Sequence, residues 1–208
     1  MIGYGWIELV GLLAGALGLS VALPQLFKVL KAKNHVGVSI TSWLLQLLNY
    51  SSWLAFSIRF HSPSQLAANI LAAVFTSILV FVLLKEIWNK TVPAVILILT
   101  LIAVAVTAIL LLPEQVMEIV LLTFILARIP QILTSYKSWR IGRKTNVSQL
   151  TYLLMGLSSI GWITYGAVAG LHMNVYSSTM QLTASVLIVM FEIAAARKYK
   201  SQESLPEK

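Results

Sequence analysis

The chain has 208 residues, 58% of them hydrophobic and 11% charged, with a formal net charge of +8. Soluble domains carry roughly 25% charged residues, so a water-soluble globule could not hide this much apolar surface, and the length is better read as a count of membrane spans. There is no Cys and no Asp, which excludes disulfides, thiolate metal centres and cysteine nucleophiles.

Seven apolar stretches of about 20 residues follow one another, each long enough to cross a hydrocarbon core of about 30 Å. The first, near 5–30, carries Leu23-Pro24-Gln25-Leu26. It has Glu8 and no basic leading region, so it reads as a span and not as a cleavable signal. The second and third lie near 39–60 and 64–85. The fourth, near 92–112, has no charge and almost no polar group. The fifth, near 115–138, carries Ile129-Pro130-Gln131-Ile132, and the sixth and seventh lie near 148–170 and 174–196.

Loop charge orients these spans. Lys28, Lys31 and Lys33 follow the first, Lys85 and Lys90 the third, and Lys137, Arg140, Arg143 and Lys144 the fifth. Arg197, Lys198, Lys200 and Lys208 follow the seventh. The opposite loops hold Arg59 as their only basic residue, apart from His61 and His172. Basic loops face the cytoplasm, so the N-terminus is expected outside and the C-terminus inside. Orientation explains the basic balance, and no nucleic-acid partner is expected, because no aromatic-basic reading surface accompanies the charge.

The two Pro-Gln steps head two copies of one pattern. Each is followed by a basic stretch, then by Gly37-Val38-Ser39 or Asn146-Val147-Ser148, with Trp53 and Trp162 each fourteen residues after the Ser. Pro24 aligns with Pro130 at an offset of 106, but Trp53 with Trp162 at 109, which places three extra residues in the second basic loop. A duplication of three spans needs one further crossing to bring the second copy into the same orientation, and the featureless fourth span supplies it. The expected fold class is therefore an all-α membrane protein with seven transmembrane helices, a 3+1+3 parallel repeat of two three-helix bundles. The repeats fall at 1–90 and 114–200, the linker helix at 91–113 and a cytoplasmic tail at 201–208. Parallel repeats about an axis normal to the membrane are a known transporter plan.

These motifs resemble the PQ-loop superfamily and, more narrowly, the SWEET (MtN3/saliva-like) transporters, over nearly the whole chain. The resemblance implies a transporter for a small solute, first of all a sugar, and an aromatic and amide set that holds it. Pro24 and Pro130 each remove one helix hydrogen bond and crowd the carbonyl four residues earlier, at Ser20 and Leu126. They are read as hinges, with Gln25 and Gln131 coupling the bend to an inner gate or satisfying freed backbone groups. Trp53 and Trp162 are candidates to stack on a sugar ring. Asn69 is the expected substrate amide, or else a helix-packing group. The offset of 109 sets Ser178 opposite it, a departure from the paired asparagines of sugar-binding relatives. Asn49 and Ser158 lie one turn before the two tryptophans and share their helix faces. Tyr165, with Phe56 as its counterpart, is a further pocket or packing candidate.

Arg128 and Glu192 are the charges expected inside the membrane, where an ionisable group is a functional candidate by default. Arg128 is read as a structural anchor or as the binder of an anion, and Glu192 as structural, with Arg197 or Lys198 as its partner. Nothing forms a catalytic set or a metal-ligand spacing, so no enzyme activity, metal or cofactor is expected. The leading expectation is facilitated, alternating-access diffusion of a neutral polar solute, because the candidate groups are neutral and no acid repeats in both copies. The alternatives are proton-coupled transport of an amino acid or cation through Glu118, Glu192 or Glu8, and a non-transporting receptor or assistant to lipid-linked sugar metabolism. The expected surroundings are the lipid bilayer of a plasma membrane, with room for a homo-oligomer.

Overall fold

The computed structural model describes residues 5–32, 40–142 and 149–203, without the side chains of 21–32, 42, 127, 200 and 202–203. All regular structure among these residues is helical: α1 (Gly5–Ala32), α2 (Ile40–Arg59), α3 (Pro63–Trp88), α4 (Thr91–Leu111), α5 (Glu114–Thr123), a 3-10 stretch (Phe124–Arg128), α6 (Ile129–Ile141), α7 (Gln149–Ala169) and α8 (His172–Glu203). Taking α5, the 3-10 stretch and α6 as one rod gives seven rods, close to the seven expected spans. Five of them are long and apolar enough to cross a membrane, and Gly5–Ser20 of α1 is a shorter apolar stretch. The rod α2 is more polar, but its Ser51, Ser52 and Ser57 are buried among its neighbours, where a bilayer protein keeps such groups. The motifs Gly37-Val38-Ser39 and Asn146-Val147-Ser148, with His35, Arg143 and Lys144, lie outside the described residues.

The chain divides into two compact units, Met1–Leu121 and Leu122–Lys208. In the first, α3 packs extensively against both α1 and α2, and α4 lies along α2. Leu47, Val80, Leu84, Ala94 and Ile98 form the shared apolar seam of α2, α3 and α4. The buried residues of α4 are Ala94, Ile98, Ala105 and Ile109. Their spacing of four and seven traces one helix face, while Val92, Ile96, Leu99 and Val104 on its other faces are exposed, as lipid contact permits. In the second unit the third helix is again central, with α8 packing against α6 and α7.

The third helices begin in register: the start at Pro63 recurs at His172, 109 residues on. In the fifth rod Pro130 stands sixteen residues after Glu114. The rod then continues eleven residues past Pro130 to Ile141, so Lys137 and Arg140 belong to its last turns and not to a loop. Gly142, left-handed at φ 68°, ends it.

The turns between second and third helices also match. Ser62 N–H donates to Ser57 C=O at 3.0 Å, and Leu171 N–H to Gly166 C=O at 2.8 Å. Each is the six-to-one bond of a Schellman cap. The left-handed residue it requires is His61 (φ 50°) in one turn and Gly170 (φ 72°) in the other. His61 thus has a turn-forming place, as befits a surface residue.

Candidate solute-handling site

Each of the two tryptophans expected to face solute packs against an aromatic ring three residues on. Trp53 meets Phe56 edge-on with ring centroids 5.1 Å apart, and Trp162 meets Tyr165 edge-on at 5.6 Å. Phe56 and Tyr165 are both about 1% exposed, while both tryptophans are half-buried. The lower ring therefore fixes the upper one, and only the upper is available to anything outside the unit. Tyr165 is the buried ring of its pair.

Asn69 is held by its own bundle. Its Nδ2 donates to Gln65 C=O at 2.9 Å and to Ser57 Oγ at 3.4 Å. Ser57 Oγ in turn donates to Trp53 C=O at 2.6 Å. The amide so links α3 to the turn of α2 that carries the tryptophan. Its counterpart Ser178 is half-buried. The 109-residue register that pairs these two also sets Gly166 opposite Ser57 and Asn174 opposite Gln65, so the second unit has no copy of the network. Asn174 is buried against Gly166. Asn49 is half-buried, and its Oδ1 is buried without a hydrogen-bond partner among the described residues. Ser158 is buried.

The two prolines behave differently. Pro24 and Gln25 lie within α1, which stays α-helical to Ala32; their side chains lie outside the described residues. Pro130 is the second residue of α6, one residue past the 3-10 stretch. Lacking an N–H, it cannot serve the carbonyl of Leu126, and that carbonyl instead accepts from Ile129 N–H. The tighter i to i+3 geometry thus satisfies the group that the proline orphans. Thr134 Oγ1 donates to Pro130 C=O at 2.8 Å. Gln131 Nε2 donates to Ser135 Oγ at 3.2 Å, so this bond of its amide goes to a hydroxyl one turn on rather than to the freed carbonyl.

Arg128 closes the 3-10 stretch and is half-buried, and Glu192 is buried on α8. Tyr152 of α7 lies within electrostatic reach of both. Lys198, an expected partner of Glu192, donates instead to Arg140 C=O at 2.6 Å.

Two roles were not visible from residue type. Arg59 Nη1 donates to Leu112 C=O at 2.8 Å and to Ile109 C=O at 3.2 Å, a cation at the carbonyl end of α4 where the helix dipole favours it. Arg59, in the last turn of α2, thus serves as a helix cap. Glu8 accepts from Ser64 N–H at 2.9 Å in the first turn of α3. Its position four residues into the first span was the available signal, since a carboxylate there needs a donor.

Residues 6–66 match the PQ loop repeat family model. The structure is similar to that of a eukaryotic SWEET transporter, with a TM-score of 0.71 at 14% identity, over 92% of this chain and 99% of that one. Comparison with curated proteins finds no match. Residues 6–66 thus carry the PQ loop repeat pattern, the helices share the fold of that SWEET transporter, and five of them are long and apolar enough to cross a membrane.

Proposed function

We propose that this protein is a facilitator that carries a small neutral polar solute, a sugar before others, by alternating access. The observation that carries this reading is the matched pair of half-exposed tryptophans, each seated edge-on over a buried ring at the same place in its unit. A ring face so held stacks on the apolar face of a sugar at little cost in side-chain ordering. Asn49, with its unpartnered Oδ1, offers an acceptor one turn away from Trp53. Ser158 holds the equivalent place beside Trp162, and Asn69 and Ser178 are the remaining hydroxyl-directed groups. Because these groups are neutral, a neutral solute is favoured.

Pro24 and Pro130, with Gln25 and Gln131, act as hinges in this reading. The 3-10 stretch before Pro130 supports it, since a 3-10 break inside a long helix often marks a point of bending. The organisation is a 3+1+3 repeat with α4 as linker, inserted in a plasma membrane with its N-terminus outside. The test is uptake of labelled mono- and disaccharides into proteoliposomes. Trp53→Ala combined with Trp162→Ala is expected to reduce flux by at least tenfold; unchanged flux would remove both residues from the site.

A further inference from the structure

A cleft of about 250 Å³ opens within the second unit, between the broken rod and α8. Arg128, Thr179 and Thr183 are its polar residues, and Ile125, Ile132 and Leu187 are among its apolar walls. Arg128 stands fourteen residues from Glu114 and thirteen from Ile141, at the middle of the rod. At 1.5 Å per residue that is about 20 Å from either end, which is mid-membrane for a rod that spans the bilayer. Among the described residues its guanidinium makes no direct hydrogen bond or ion pair. It is coupled through space to Tyr152, which also senses Glu192.

Such a cation is expensive in a bilayer and is kept where it has work to do. The fold does not demand it. Ala22 precedes Pro24 where Arg128 precedes Pro130, and Leu83 and Trp43 stand where Glu192 and Tyr152 do, packed together as apolar core. The same helix triplet therefore closes without any of the three polar residues.

We propose that this cleft binds a small carboxylate carried on an apolar body, with Arg128 as its counter-ion. A planar guanidinium matches a carboxylate through two parallel hydrogen bonds. Thr183 Oγ1 donates to Thr179 C=O at 2.9 Å and Thr179 Oγ1 to Val175 C=O at 2.7 Å. Both hydroxyl protons are committed to the backbone, so these oxygens offer no donor to an anion and recognition falls to Arg128. The volume lies below the 300–1,000 Å³ typical of drug-sized ligands, which sets the scale of the apolar body. A phospholipid headgroup belongs at the membrane surface, and the depth of Arg128 disfavours it.

The site is independent of sugar transport, and each can fail alone. The full-length protein in phosphatidylcholine nanodiscs is titrated with radiolabelled hexanoate, with empty nanodiscs as the blank. Saturable binding is expected, at least tenfold tighter than that of hexanamide, and at least tenfold weaker in Arg128→Gln. Thr183→Leu, which fills the cleft and leaves the guanidinium in place, is expected to weaken it similarly. This second variant with the hexanamide comparison decides the matter should Arg128→Gln fail to fold. Absence of saturable binding, equal binding of hexanamide, or full binding by either folded variant would overturn the proposal. So would loss of hexanoate binding when a quarter of the lipid is replaced by phosphatidylglycerol, which would assign the cleft to lipid.

Discussion

Replacing Arg59 by Met removes a guanidinium from the carbonyl end of α4 while keeping most of the side chain's apolar stem. Two backbone oxygens lose a charged donor, at Leu112 (2.8 Å) and Ile109 (3.2 Å). A hydrogen bond from a charged group contributes about 1.5–3 kcal/mol net, and a cation at a helix C-terminus about 0.3–1 kcal/mol. One nitrogen serves both oxygens and the site is only partly buried, so the two bonds count as little more than one. A loss of about 2–3 kcal/mol is expected. For a chain of this length that corresponds to a fall in melting temperature of roughly 5–10 °C. The assay is thermal unfolding of the purified protein in a mild detergent, followed by intrinsic tryptophan fluorescence. Arg59→Lys keeps the charge but lacks the planar fork, and should recover about half of the loss. A melting temperature for Arg59→Met within 1 °C of the parent would refute the capping role.

Three further outcomes are expected. At Gly166 an added Cβ would lie 2.7 Å from Asn174 Cβ and 2.9 Å from Leu171 C=O, whereas at Gly156 it would meet Leu182 Cδ1 at an ordinary 3.5 Å. Gly166→Ala should cost about 2–3 kcal/mol and Gly156→Ala nothing or a small gain, read as melting temperatures in the same detergent. His61→Gly relieves a left-handed residue at φ 50° and should raise stability by about 0.5–1 kcal/mol, because Gly170 already fills that place in the second unit. Pro130→Ala returns an N–H to the Leu126 carbonyl, and on the hinge reading should raise the melting temperature while slowing uptake several-fold; faster or unchanged uptake would count against the hinge.

Much of the fold was legible because a bilayer leaves few choices. A stretch of twenty apolar residues must satisfy its own backbone groups, so the apolar stretches located the rods, although the last runs on to Glu203, past the expected end near 196. The Pro-Gln steps and the matched tryptophans revealed the repeat for the same local reason. The candidate site was less legible. Asn69 is an amide on an apolar helix, but Gln65 C=O on its own helix and Ser57, twelve residues away on another, together determine where its hydrogens go. Pro24 and Pro130 sit in near-identical sequence, yet only the second lies beside a 3-10 stretch.

By itself the sequence determined the number of rods and their order, since these follow from composition and spacing along one chain. Tertiary structure decided which polar groups are engaged and which are not. Arg59 became a cap because the last turn of α4 comes to it. Arg128 shares a cleft with Thr179 and Thr183 because α8 brings them beside the broken rod. A side chain's chemistry is local, but its partner is chosen by packing, and no pattern along the chain records that choice.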